Sequence, residues 1–229
     1  MKKVIGLILL CVLLFCSSIA SAEGVWKITS LNWQPYSGAE MRNYGNSIQK
    51  LMVLLNKENI KLQVDFYPWS RAQAIALKDE YVGYFPAWPD EVKDGFVASP
   101  PIDNSEIAVM RTNEFKLDYK NIPQLFLKYR VGIVRTYAYP EFVTKAMKKH
   151  PSNIVPSPSE KALVKMLNAG RFDCAITDPN VMIYLANQQG YNNIVVDRAL
   201  QSVPLVMALK KDQYTNHKLR LLEKLLIKD

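Results

Sequence analysis

The chain has 229 residues, 49% of them hydrophobic and 22% charged, and 29 Lys plus Arg against 21 Asp plus Glu give it a formal net charge of +8. Such an excess can favour anionic partners, but the basic residues are scattered singly, with no basic stripe interleaved with aromatics, which argues against nucleic acid. Two of the three cysteines, Cys11 and Cys16, fall at the extreme N-terminus and leave Cys174 without a partner, so a disulfide scaffold is excluded and stability must come from a hydrophobic core.

The N-terminus reads as an export signal. Met1, Lys2 and Lys3 precede the apolar run "VIGLILLCVLLF", and Ala20, Ser21 and Ala22 supply the small residues of a cleavage site after Ala22. Cys16 follows Phe15 rather than a small residue, which argues against lipidation. No later segment is apolar for long enough to cross a bilayer, so the expected product is soluble and exported. It has room for one large domain or two lobes.

Residues 25–32, "VWKITSLN", read as a first strand followed by the loop "WQPYSG". Ile48, Leu51, Met52 and Leu55 then recur at helical spacing. Leu62, Val64 and Phe66 alternate with polar residues in a second strand, Ser70 is placed to cap a short helix, and "VGYFPAW" is a third strand. This β-α-β-α-β order implies a parallel sheet with right-handed crossovers. Pro86 and Pro89 cannot continue a central ladder, because proline has no N–H to donate.

The same grammar restarts after "IPQLFLKY". "RVGIV" reads as a strand, Pro140 suits the first turn of a helix, and Ser157-Pro158-Ser159-Glu160 reads as a capping box with proline at its first helical position. The helix carrying Leu163, Met166 and Leu167 stops at Gly170, "FDCAITD" is a strand, Asp178-Pro179 opens another helix, and "NIVV" closes the series. The segment "SVPLVMALKKD" and the last helix are expected to return to the first lobe. Two α/β units on one chain predict two lobes with a cleft between them.

In open α/β sheets ligands sit beyond the carboxyl ends of the strands. Trp33 and Tyr36, then Trp69, then Trp88 each fall just after a strand of the first lobe. They can wall a cleft, or they can plug the lobe's core, where large aromatics usually reside.

Five blocks in order, "WQPYSG", "FYPWSRAQAIA", "YFPAW" leading to "FVASPPI", "RVGIVRTYAY" and "NAGRFDCAITDPNVMIYLA", resemble periplasmic solute-binding proteins of family 3, the polar amino acid uptake type. The phrases "PWSRA", "FPAW" and "VGIVRTYAYPEF" look closer to a branch of stand-alone members than to the well-studied amino acid receptors. The resemblance implies an α/β, two-lobed periplasmic-binding-protein-like fold of type II. Each lobe would be a mostly parallel sheet flanked by helices, joined to the other by hinge strands near residues 110–112 and 198–203. Residues 23–111 with 203–229 would form lobe 1, and residues 112–202 lobe 2.

The family's site residues transfer unevenly. The arginine that clamps a ligand carboxylate through a planar fork is matched by Val92, with Lys93 beside it. A Gly-Thr pair after the second lobe's first strand is replaced by Arg135, Thr136 and Tyr137. The aspartate that receives a ligand ammonium is matched by Asp178, although Asp before Pro is also a good helix N-cap, and one carboxylate can serve both purposes. Arg135, at a strand-to-helix junction that favours anions, reads either as a replacement clamp or as a solvated rim residue. Arg71 sits in a first helical turn, where the dipole mildly disfavours a cation, and points either at ligand or at a neighbouring carboxylate.

Chemistry beyond binding has few candidates. His150 and His217 are far apart and Cys174 has no evident base, so no metal site, cofactor or nucleophile is expected. No Gly-rich phosphate loop or serine elbow is present. The resemblance extends to cyclohexadienyl dehydratases, which need a poised acid; Glu141 is the nominee, equally readable as an ordinary first-turn carboxylate. The sequence thus predicts a monomeric periplasmic receptor capturing a small polar, amino-acid-like solute for transport or sensing, with a membrane permease or sensor as partner. A dehydratase-like enzyme and a ligand-dependent partner-binding module are the alternatives.

Overall fold

The computed structural model describes residues 24–227, so the expected signal peptide lies outside the described residues. The first unit runs β1 (Gly24–Ser30), α1 (Asn46–Asn56), β2 (Ile60–Phe66), α2 (Trp69–Ile75) and β3 (Gly83–Ala87). β1 pairs in parallel with both β2 and β3, as the crossover pattern requires. Ile48, Leu51, Leu54 and Leu55 of α1 are buried, one apolar stripe at helical period closing one face of the sheet.

Two further strands, β4 (Phe96–Ala98) and β5 (Asp103–Thr112), lead into the second unit. That unit comprises α3 (Ile122–Lys128), β6 (Val131–Val134), α4 (Glu141–Lys149), β7 (Ile154–Ser157), α5 (Glu160–Asn168), β8 (Cys174–Thr177) and α6 (Pro179–Gln188). β6 again pairs in parallel on both sides, with β7 and β8. The chain ends in β9 (Ile194–Lys210) and α7 (Thr215–Ile227).

The strand order is β2-β1-β3-β9-β5-β8-β6-β7, with β4 also on β9. Two parallel triplets therefore flank one long antiparallel ribbon of β5 and β9, and this ribbon joins the two lobes of a mixed α/β fold. β9 pairs with β3 and β4 through Val206 to Lys210 and with β5 through Ile194 to Leu205. β5 pairs with β9 along its whole length and, through Ala108, Val109 and Met110, also with β8 of the second unit.

Local departures from the sequence reading have simple causes. The β3–β9 register shifts between Tyr84 and Ala87, so Pro86 lies in an irregularity that asks no ladder hydrogen bond of it. α5 starts at Glu160 with Ser159 as its N-cap, the Ser159 hydroxyl accepting from Ala162 N. Ser157 is instead the last residue of β7, paired with Val134. α2 starts at Trp69 behind Pro68, which places Ser70 inside the helix rather than at its cap. α7 packs on α1, with Leu222 and Leu225 buried and Lys224 paired to Glu58 at 2.8 Å.

Gly83 is required by close approach. Its φ is +155°, and a Cβ there would stand 1.9 Å from the Ala208 carbonyl oxygen across the β3–β9 pair. Only a residue without a side chain lets the two strands meet at that point.

Candidate functional site

The loop after β1 reaches the start of α6. Tyr36 Oη donates to Asp178 Oδ2 at 3.1 Å, and Asn180 Nδ2 donates to Tyr36 Oη at 2.9 Å. Asp178 is fully buried; its Oδ1 accepts from Val181 N at 3.0 Å, the expected N-cap, and its Oδ2 also accepts from Glu106 N at 3.1 Å. Both carboxylate oxygens are thus engaged by the protein's own donors. Burial pushes the carboxyl up to about 6 against the pull of those donors. Burial, and then the Asp178 charge, raise the Tyr36 phenol.

Next to this joint the expected rings meet one another. Trp33 stacks on Tyr36 at 4.6 Å between centroids, and Trp88 stands edge-on to Trp33 at 6.1 Å and to Tyr137 of the other lobe at 5.9 Å. Trp33, Trp69 and Trp88 retain only 5%, 6% and 3% of their exposure, so they form a packed floor rather than a bare wall. Trp88 Nε1 donates to Ser105 Oγ at 2.8 Å and Trp69 Nε1 to Glu91 Oε1 at 3.0 Å, while Trp33 Nε1 is buried without a partner.

The rings, with Pro86 and Glu91, enclose a cavity of about 10 Å³, close to the least that holds one water. The buried carboxyl of Glu91 also accepts from Trp88 N, and desolvation pushes it up to about 7.

The larger opening lies beside that floor. A cleft of about 560 Å³ is lined from the first lobe by Leu31, Asn32, Gln34, Phe66, Tyr67, Pro68 and Trp69. From the second come Val134, Thr136, Tyr137, the 158–161 turn, Tyr184, Leu185, Gln188 and Gln189. Its size and its mixture of ring faces and amides are those of a small-molecule site.

Of the residues nominated from sequence, Trp69, Thr136 and Tyr137 line the cleft. Trp33, Tyr36, Trp88 and Asp178 make the joint next to it. Arg71 and Arg135 are exposed and border neither space. The Arg71 guanidinium lies 5.6 Å over the Tyr67 ring, and the Arg135 backbone N–H pairs with the Ser157 carbonyl at 3.0 Å. Glu141 is also outward-facing: its side chain pairs with Lys145 at 2.8 Å, and that bond lowers its pKa. It does not line this cleft.

The structure adds Glu160, which the capping-box reading had assigned to the helix backbone. Its side chain turns inward instead. Oε1 accepts from the Thr177 hydroxyl, Oε2 is buried with no partner, and the residue is 5% exposed while lining the cleft. Burial first, then the charge of Asp178, push its carboxyl up to about 8, with the Thr177 hydroxyl opposing. Its position directly after the carboxyl end of β7 was the available signal. No cluster of His, Cys, Asp and Glu suited to a metal occurs among the described residues.

No protein-family model matches the chain, and no curated protein matches it significantly. Solved structures do. A histidine kinase sensor domain similar to periplasmic binding proteins superposes with a TM-score of 0.74 at 14% identity, covering 90% of each chain. An ancestral arginine-binding protein bound to arginine superposes at 0.73 and 16% identity, covering 90% of this chain and 92% of that one. An ancestral amino-acid-binding protein described as a precursor of cyclohexadienyl dehydratase superposes at 0.67 and 18% identity, covering 90% of each. The chain therefore has the two-lobed fold of periplasmic binding proteins.

Proposed function

We propose that the chain is an exported receptor that holds a small polar solute in the cleft between its lobes, for uptake through a membrane permease or for signalling through a sensor. The observation that carries this reading is the 560 Å³ cleft itself, lined from both lobes by Trp69, Tyr67 and Tyr137 on one hand and by Gln34, Thr136, Gln188 and Gln189 on the other. Binding proteins and a sensor domain share the fold. Capture there exchanges a solute's hydration for fixed polar partners and ring faces, and closure of the lobes about the β5–β9 ribbon completes the enclosure.

The arrangement differs from that implied for an amino acid receptor at both ends of the ligand. No arginine lines the cleft, Val92 is half-buried away from it, and Asp178 is occupied by Tyr36, Val181 and Glu106. The polar solute is therefore held through other groups. Thermal shift across a library of amines, amino acids, small acids and neutral polar compounds is the test. A ligand at about one hundred times its Kd adds about 2.7 kcal/mol, and a library that leaves the transition unmoved rejects the receptor.

A second reading is favoured by two buried carboxyls that hold their protons near neutrality, Glu91 at about 7 and Glu160 at about 8. That is the property of a general acid, and Glu160 lines the cleft. Conversion of any library member, followed by chromatography and abolished in Glu160→Gln, would make the cleft an active site.

A further inference from the structure

Glu160 presents one carboxylate oxygen that the protein leaves unused. Thr177 satisfies Oε1, whereas Oε2 is buried, has no donor and belongs to a side chain 95% removed from solvent on the wall of the 560 Å³ cleft. An ionised, half-satisfied carboxylate in such a place is costly unless a donor of opposite charge reaches it. The groups facing it do not supply one. Asp178 is like-charged, Tyr137 and Tyr139 are phenols that burial keeps protonated, and Tyr184 on α6 carries no cation. Lys161, the next residue, lines the same cleft but is exposed to water.

The surroundings select the sign of the missing partner. Phe66, Tyr67, Trp69 and Tyr184 line the same space, and aromatic ring faces attract cations. One face of Tyr67 already carries the Arg71 guanidinium. A cationic N–H donor would complete the Glu160 carboxylate and offset the field of Asp178 together. A neutral donor would leave the charge uncompensated, and an anion would be repelled by it.

Building on the receptor reading, we propose that the cleft selects a solute carrying a primary ammonium or guanidinium group on an apolar stem, with Glu160 Oε2 as the acceptor of its N–H. This is a recognition site on the α5 side of the cleft, separate from Asp178. Because Glu160 holds its proton up to about 8, the cation must displace that proton, and binding tightens as pH rises toward that value.

The test is calorimetric titration of the purified protein with 1,4-diaminobutane, agmatine, tetramethylammonium, succinate and acetamide at about pH 6 to 8. The expected result is binding of 1,4-diaminobutane or agmatine with Kd falling about tenfold per pH unit. Release of about one proton, read from buffers of different ionisation enthalpy, should accompany it. Tetramethylammonium, a cation without N–H, should bind at least about tenfold more weakly. Glu160→Gln should weaken the amine about tenfold or more and flatten its pH dependence. Amine binding with no pH dependence and no proton release in the wild-type protein overturns the assignment, whatever the variant's stability. Binding of succinate, acetamide or another neutral or acidic library member in place of the amines overturns it while leaving the receptor intact. Silence from the whole library removes both.

Discussion

Tyr36 and Asp178, 142 residues apart in the chain, meet in a 3.1 Å hydrogen bond that ties the loop after β1 to the cap of α6. The joint fastens one lobe to the other. Tyr36→Phe removes a bond to a buried charge and should lower stability by about 1.5 to 3 kcal/mol. Asp178→Ala also removes the cap and strands the buried Val181 N–H and the part-buried Glu106 N–H, so its cost should be larger, about 3 to 5 kcal/mol. A double-mutant cycle in urea checks the pair: coupling under about 0.3 kcal/mol would mean that the two residues do not meet in solution.

Stability should fall as pH rises above 5. Asp178 is raised from 3.8 to about 6, Glu91 from 4.5 to about 7 and Glu160 from 4.5 to about 8, in each case chiefly by burial. A carboxyl with a raised folded pKa binds its proton more tightly folded than unfolded. Its contribution is complete below the unfolded value and disappears as pH climbs through the folded one. Asp65, Asp212 and Glu141 are shifted downward and act only in acid. Urea midpoints at about pH 5, 6.5 and 8.5 should therefore decline in order, and Glu160→Gln should remove the decline at the upper end. A midpoint rising over this interval would contradict the burial of these groups.

Gly83→Ala should break the junction of β3 with β9. The new methyl would collide with the Ala208 carbonyl, backbone that cannot move without unpairing the sheet, and a loss above about 3 kcal/mol or insoluble protein is expected. Circular dichroism and urea unfolding measure it. A variant within 1 kcal/mol of wild type would show that the strands approach less closely.

Arg135→Ala tests the boundary of the site. Arg135 is exposed and its neighbour Thr136 lines the cleft, so the substitution should leave stability within about 0.5 kcal/mol and should not disturb the affinity of any ligand found. A tenfold loss of affinity would return Arg135 to the binding surface.

Much of the architecture was legible because it rests on local rules. The periodicity of Ile48, Leu51 and Leu55 marks α1, the alternation through Leu62 and Phe66 marks β2, and Asp178-Pro179 marks the start of α6. β9 was harder. Its 17 residues include an exposed middle around Arg198, Ala199 and Gln201, and polar exposure inside a strand reads as a break.

The site was half legible for a related reason. Strand ends located Trp69, Thr136 and Tyr137, but which rings pack against one another is a tertiary fact that spacing along the chain does not carry. Glu160 was misread because Ser157 and Glu160 stand at capping-box spacing, whereas tertiary pairing of Ser157 with Val134 delays the helix. The freed carboxylate then points at Thr177 and the cleft.

The full occupation of Asp178 separates two duties that a single aspartate would otherwise combine. On the proposed receptor reading, the side chains that clasp the halves of the molecule, Tyr36 and Asp178, are distinct from the one proposed to read the cargo, Glu160. Changes at position 160 are then expected to retune cargo preference without loosening the clasp, the property wanted in a biosensor whose specificity is rewritten one residue at a time.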